Sequence, residues 1–163
     1  MKWSRIAVIA LVSLPAAVEV RGQDRLALQR EQYRAERDPV HQAKNFSKFG
    51  DALLDQMRKE ADAGNIAGAQ AAFTEYRDDL QSTLATLKAR QPNAEKHPGG
   101  FKELEIYLRK TLRGVEQIIL LIPFAQRAPF ESQRREVAAI DEELFHLLFP
   151  RQPAAAAPGK PPK

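Results

Sequence analysis

The chain has 163 residues, of which 44% are hydrophobic, 28% charged and 7% aromatic, with 11 Pro, 8 Gly and no Cys. That size and apolar content fit one globular domain. The lack of Cys excludes, within this chain, a disulfide framework, thiolate-bound zinc or iron–sulfur, a covalently attached c-type haem and a thiol nucleophile.

The formal net charge of +4 and a pI near 9.5 would suit a nucleic-acid binder if the charge lay on the folded part. It does not. Lys2, Arg5 and Arg21 precede residue 23, and Arg151, Lys160 and Lys163 lie in the last 13 residues, so residues 23–150 hold 19 basic and 20 acidic groups. No basic footprint and no nucleic-acid partner is expected of that core.

In chain order, the first feature is a leader. Lys2 and Arg5 precede the 13-residue apolar run Ile6–Val18, and polar character returns at Glu19. A positive segment, a short apolar core and small or tolerated residues at Val20 and Gly22 form the layout of a secretory signal, with cleavage expected after Gly22 and a site a few residues earlier, near Ala17, as the alternative. The run is shorter than the roughly 20 residues a membrane span needs, and Pro15 interrupts it. No Cys follows to carry a lipid anchor. The expected address is periplasmic or secreted, with no stable membrane span once residues 1–22 are removed.

Residues 23–38 are mostly charged, with Leu26, Tyr33 and Val40 seven apart. That stripe predicts a helix ending before Pro39, too thin to bury much alone. A second helix is predicted over about 39–63, where Phe46, Phe49, Leu53, Met57 and Ala61 share one face. Gly64 suits the left-handed residue that ends it, and Asn65 suits the cap of a third helix running to about Arg90. In that helix Ile66, Ala69, Phe73, Tyr76, Leu80, Leu84 and Leu87 form the stripe. Two long amphipathic helices joined by so short a turn lie antiparallel.

Residues 91–100 form a Pro/Gly loop. A fourth helix is predicted over 101–122, with Phe101, Leu104, Leu108, Leu112, Val115, Ile119 and Ile122 on one face. Ile118–Ile122 is apolar on every side, which predicts burial on every side. Pro123 stops this helix and Pro129 suits the start of a fifth, whose stripe is Val137, Ile140, Leu144, Leu147 and Leu148. Residues 151–163, rich in Pro and Ala, are expected to be a disordered tail. The fold class is therefore all-α: an antiparallel bundle of four to five helices over 23–150.

Chemistry-bearing residues are sparse. Glu143 and His146 have the spacing of a di-iron ligand pair, but neither His41 nor His97 has a Glu three residues before it to supply the second pair. Ser47, Ser82 and Ser132 all fall in predicted helices, away from the sharp turn that a nucleophilic Ser needs. No Gly-rich nucleotide-binding pattern occurs. No cofactor, metal site or catalytic residue is expected.

The row Glu105, Arg109 and Arg113 on the fourth helix is the candidate binding site. These residues fall at the edge of the apolar stripe, and Glu105 precedes Arg109 in the favourable i,i+4 order. Such a row either fixes how a neighbouring helix docks or binds an acidic peptide or carboxylate.

The block Phe101–Lys110, followed by Arg127-Ala-Pro-Phe-Glu131 and a Leu/Phe-rich last helix, resembles exported all-helical bacterial proteins of uncharacterised function over about residues 38–150. The resemblance implies a bundle, no known activity and no transferable site residue. The functional expectation is a non-enzymatic bundle acting through contacts with an envelope or extracellular protein. The alternative is a small-ligand or metal-binding bundle.

Overall fold

Punctuation and apolar period set the helices. The computed structural model describes residues 17–150, with side chains from Arg25 onward, and contains five α-helices: α1 (Ala17–Ala35), α2 (Pro39–Asp62), α3 (Ile66–Arg90), α4 (Phe101–Leu121) and α5 (Ala128–Leu148). Most of the expected leader and the whole expected tail lie outside the described residues. α1 begins at Ala17 and so runs through the expected cleavage point, whereas the α1 residues packed on the bundle begin at Leu26. Removal of residues 1–22 would leave those contacts in place.

Each boundary has a local cause. The Asp38 carboxylate accepts from the Val40 and His41 amides, and Pro39 opens α2 without losing a hydrogen bond. Gly64 has φ +73°, and the Asn65 side chain accepts from the Gly68 amide, closing α2 and opening α3 within three residues. Gly100 has φ +86° at the start of α4; a Cβ there would sit 3.0 Å from Leu87 and 3.3 Å from Ala43. The Glu103 carboxylate reaches back to the Gly100 amide at 2.7 Å.

α2 and α3 form one antiparallel hairpin, and α4 and α5 form another. α2 packs on α4 and α3 on α5, so the four helices close a square. Gly99 approaches Val40, and the Phe46 and Tyr107 rings lie 5.9 Å apart, so α2 and α4 run parallel. The Gln133 amide donates to Thr74, and Arg77 pairs with Glu136, so α3 and α5 also run parallel. Neighbours across the hairpins are thus parallel, and residues 91–100 cross one end diagonally with Ala94 buried beneath them. The α2–α3 and α4–α5 turns share the opposite end.

The core confirms most of the expected stripes. Phe46, Phe49, Leu53 and Met57 of α2, Phe73, Tyr76, Leu80 and Leu87 of α3, and Phe101, Leu104, Leu108 and Val115 of α4 are buried, as are Phe130, Val137 and Leu144 of α5. α1 docks despite its thin stripe. Tyr33 stacks on Phe49 at 4.7 Å, its hydroxyl bonds the Asp79 carbonyl and Thr83, and Arg30 pairs with both oxygens of Glu75 at 2.6 and 2.7 Å. The helix ends at Ala35 rather than Asp38.

One expectation fails. Ile118, Ile119 and Ile122 are buried, but Leu120 is 61% and Leu121 46% exposed. The apolar run sits in the last turn of α4 at the tip of the bundle, where α2 and α5 cover only one side.

Candidate functional site

α4 brings two members of the sequence-predicted row together and leaves the third out. Glu105 is only 5% exposed, and it accepts a hydrogen bond from the Arg109 guanidinium, whose own side chain is 64% exposed. Arg113, four residues on, is exposed and makes no ion pair among the described residues. The row is a pair with a separate arginine beyond it.

The structure adds a partner that the row did not reveal. Asp141 of α5 faces Glu105 and Arg109, and its Oδ1 is buried without a hydrogen bond. Burial holds the Asp141 carboxyl above its usual range; the Glu105 carboxylate adds to that shift and Arg109 opposes it. Two carboxylates therefore share one guanidinium at the α4–α5 seam, and the only bond among them, Arg109 to Glu105, lies within α4. The arrangement stores a proton-sensitive electrostatic cost, and its lone cation is already engaged.

A carboxyl raised in the folded state binds its proton before the unfolded chain does. Stability therefore falls as pH rises from the unfolded value near 3.8, through the higher folded value, and the cost persists at neutrality. Asp141→Asn is expected to raise the thermal midpoint at about pH 7 and to change it little at about pH 3, where the Asp141 carboxyl is itself protonated. Circular dichroism melts at the two pH values check this; an equal gain at both would refute the electrostatic cause.

A second polar seam lies between α2, α3 and α4. Tyr76 and Tyr107 have buried hydroxyls without a well-formed hydrogen bond, and Asp51 and Thr111 are their polar neighbours. Burial pushes the Tyr76 phenol up to about 12 and that of Tyr107 further. Both phenols therefore stay protonated at neutral pH. Gly50 makes room for them: a Cβ there would lie 2.5 Å from the Tyr107 hydroxyl and 3.0 Å from the Tyr76 ring.

Two open features remain. A cleft of about 440 Å³ between α1, α2 and α3 has Leu26, Leu53, Ala71 and Ala72 on its walls. Its charged groups, Arg30 and Glu75, satisfy each other. At the α4–α5 turn, Phe124 is 85% exposed beside Leu120 and Leu121. The Arg127 guanidinium caps this turn, donating to the Ile122 carbonyl at 2.7 Å and to the Leu120 carbonyl at 2.9 Å, the free carbonyls at the end of α4. It also lies 6.0 Å from the Phe124 ring centroid.

The three histidines are dispersed: His41 begins α2, His97 lies in the crossover and His146 ends α5, all exposed. Among the described residues no group of three or more His, Asp or Glu is placed to hold a metal ion, and no helix is long and apolar enough to cross a membrane. Comparison with known protein families, curated proteins and solved structures finds no match.

Proposed function

We propose that the chain is an exported, non-catalytic helical bundle that works through protein contacts in the periplasm or outside the cell. The leader-like first 22 residues support the address. The observation that carries the contact reading is the end of α5. Phe145 and Phe149 stand one turn apart with ring centroids at 5.2 Å, are 44% and 59% exposed, and directly precede the Pro/Ala-rich segment. Large apolar side chains paired and exposed at a helix end are features that recognition surfaces use. On this reading the Glu105–Arg109 pair is internal to α4, its cation already engaged, and does not serve as a ligand site.

The test is site-specific photocrosslinking in the envelope fraction. A photoreactive aromatic at position 149 is expected to give a discrete protein adduct, and the same group at the exposed Asp55 none. Removing residues 151–163 should weaken the adduct if that segment contributes. An adduct at neither position refutes the reading. The competing ligand-binding bundle would use the cleft of α1, α2 and α3, and a small molecule released on denaturation of the isolated protein would favour it.

A further inference from the structure

The net charge of the folded part conceals a segregation. Residues 51–79, in α2 and α3, hold seven acidic and three basic groups. Residues 106–135, in α4, the turn and the start of α5, hold six Arg or Lys and two Glu. Arg113, Arg134 and Arg135 make no ion pair among the described residues. Arg134 and Arg135 line a small cleft directly beside Leu120, with Glu116 and Glu131 opposing part of their charge. An unpaired basic margin therefore adjoins the apolar tip formed by Leu120, Leu121 and Phe124.

We propose that the α4–α5 turn is a foot that seats this protein on an anionic phospholipid surface, with Leu120, Leu121 and Phe124 in the interfacial layer and Arg113, Arg134 and Arg135 at the phosphates. Apolar side chains next to arginines are what a bilayer interface rewards: the first bury area among headgroups and acyl chains, and the second meet negative charge. The Arg127 cap already ties the turn to the end of α4 through two hydrogen bonds, which reduces the freedom left to lose on seating.

A second observation gives the same orientation. α1 runs antiparallel to α2, since Tyr33 packs on Phe49 whereas Leu26 shares the cleft with Leu53 and Gly68. The N-terminal end of α1 therefore points toward the turn end of the bundle, where Leu120 and Phe124 lie. The apolar run Ile6–Val18 leads into this helix in sequence, and its last two residues, Ala17 and Val18, are the first of α1. If that run is a leader held at a membrane, a chain continuing from the N-terminal end of α1 would bring the foot toward the same surface. A protein partner would not require the two to coincide, so the lipid surface is the better fit.

The experiment is flotation of the isolated protein, its N-terminus defined by mass spectrometry, with vesicles of phosphatidylcholine alone or mixed with phosphatidylglycerol. Binding is expected only with the anionic vesicles and should fall as salt is raised. Phe124→Ser should weaken it about tenfold or more. The double charge reversal Arg134→Glu/Arg135→Glu should weaken it at least as much. Both sites are at the surface, so an unchanged helical dichroism spectrum certifies folding. Phe149→Ser, at the other end, should bind like the unaltered protein, which separates this inference from the protein-contact reading above. Equal binding to neutral vesicles, no binding, or insensitivity to the Phe124 and arginine variants overturns it. So does a photocrosslinker at position 124 that captures a protein and is not blocked by anionic vesicles.

Discussion

Phe46→Ala is expected to cost about 3–5 kcal/mol of folding stability, the upper range for truncating a buried aromatic. Phe46 is fully buried where α1, α2, α3 and α4 meet. Its ring lies 5.8 Å from Tyr33, 6.4 Å from Phe49, 5.6 Å from Tyr76 and 5.9 Å from Tyr107. Four rigid rings cannot slide inward as a methionine or leucine could, so the cavity stays open and the edge-to-face contacts are lost with it. The sequence holds one Trp, Trp3 in the expected leader, so urea unfolding is best followed by far-ultraviolet dichroism. A loss below about 1 kcal/mol would mean that the aromatic cluster collapses after all.

Gly50 carries the second large effect, with the opposite sense of volume. In the middle of a helix, Gly→Ala ordinarily stabilises by about 0.5–1 kcal/mol. Here the added methyl meets the Tyr107 hydroxyl at 2.5 Å, the Tyr76 ring at 3.0 Å and Phe46 at 3.2 Å. Overpacking of that kind costs about 1–3 kcal/mol, so the net change is expected to be a loss of about 1–2 kcal/mol for Ala and about 3 kcal/mol for Val. Tyr107→Phe removes the atom nearest the methyl and should be nearly neutral alone, because that hydroxyl makes no well-formed hydrogen bond. Combined with Gly50→Ala it should recover most of the loss, giving a coupling of about 1 kcal/mol in a double-mutant cycle. Additive losses would place the strain elsewhere.

The four bundle helices were legible because their ends are written locally. Pro39, Gly64-Asn65, the Pro/Gly loop, Pro123 and Pro129 each act on their own backbone, and the stripes between them keep a helical period over five or more turns. α1 was half legible, since Leu26 and Tyr33 mark its inner face. Much of its docking comes from Arg30 on Glu75 and Tyr33 on Thr83, pairs 45 and 50 residues apart that no local pattern displays.

The same limit governs the sites. Glu105 and Arg109 are readable as an i,i+4 pair, but Asp141 joins them only through helix packing. The exposure of Leu120 and Leu121 contradicts the inference from an all-round apolar run, because periodicity gives a residue's angle about the helix and not its position along the bundle. A charge count by segment, rather than over residues 23–150 as a whole, would have separated the acidic α2–α3 stretch from the basic stretch of α4 and α5.

The diagonal course of residues 91–100 has a bearing on how the molecule is put together. Each hairpin closes on itself through a turn of a few residues, while the link between them spans one end and supplies Ala94 and Gly100 as packing pieces. Covalent continuity there is a tether more than a template. A single nick after the exposed Lys96 would leave two helical halves with complementary faces, and such halves can remain associated as a heterodimer and exchange with those of another copy.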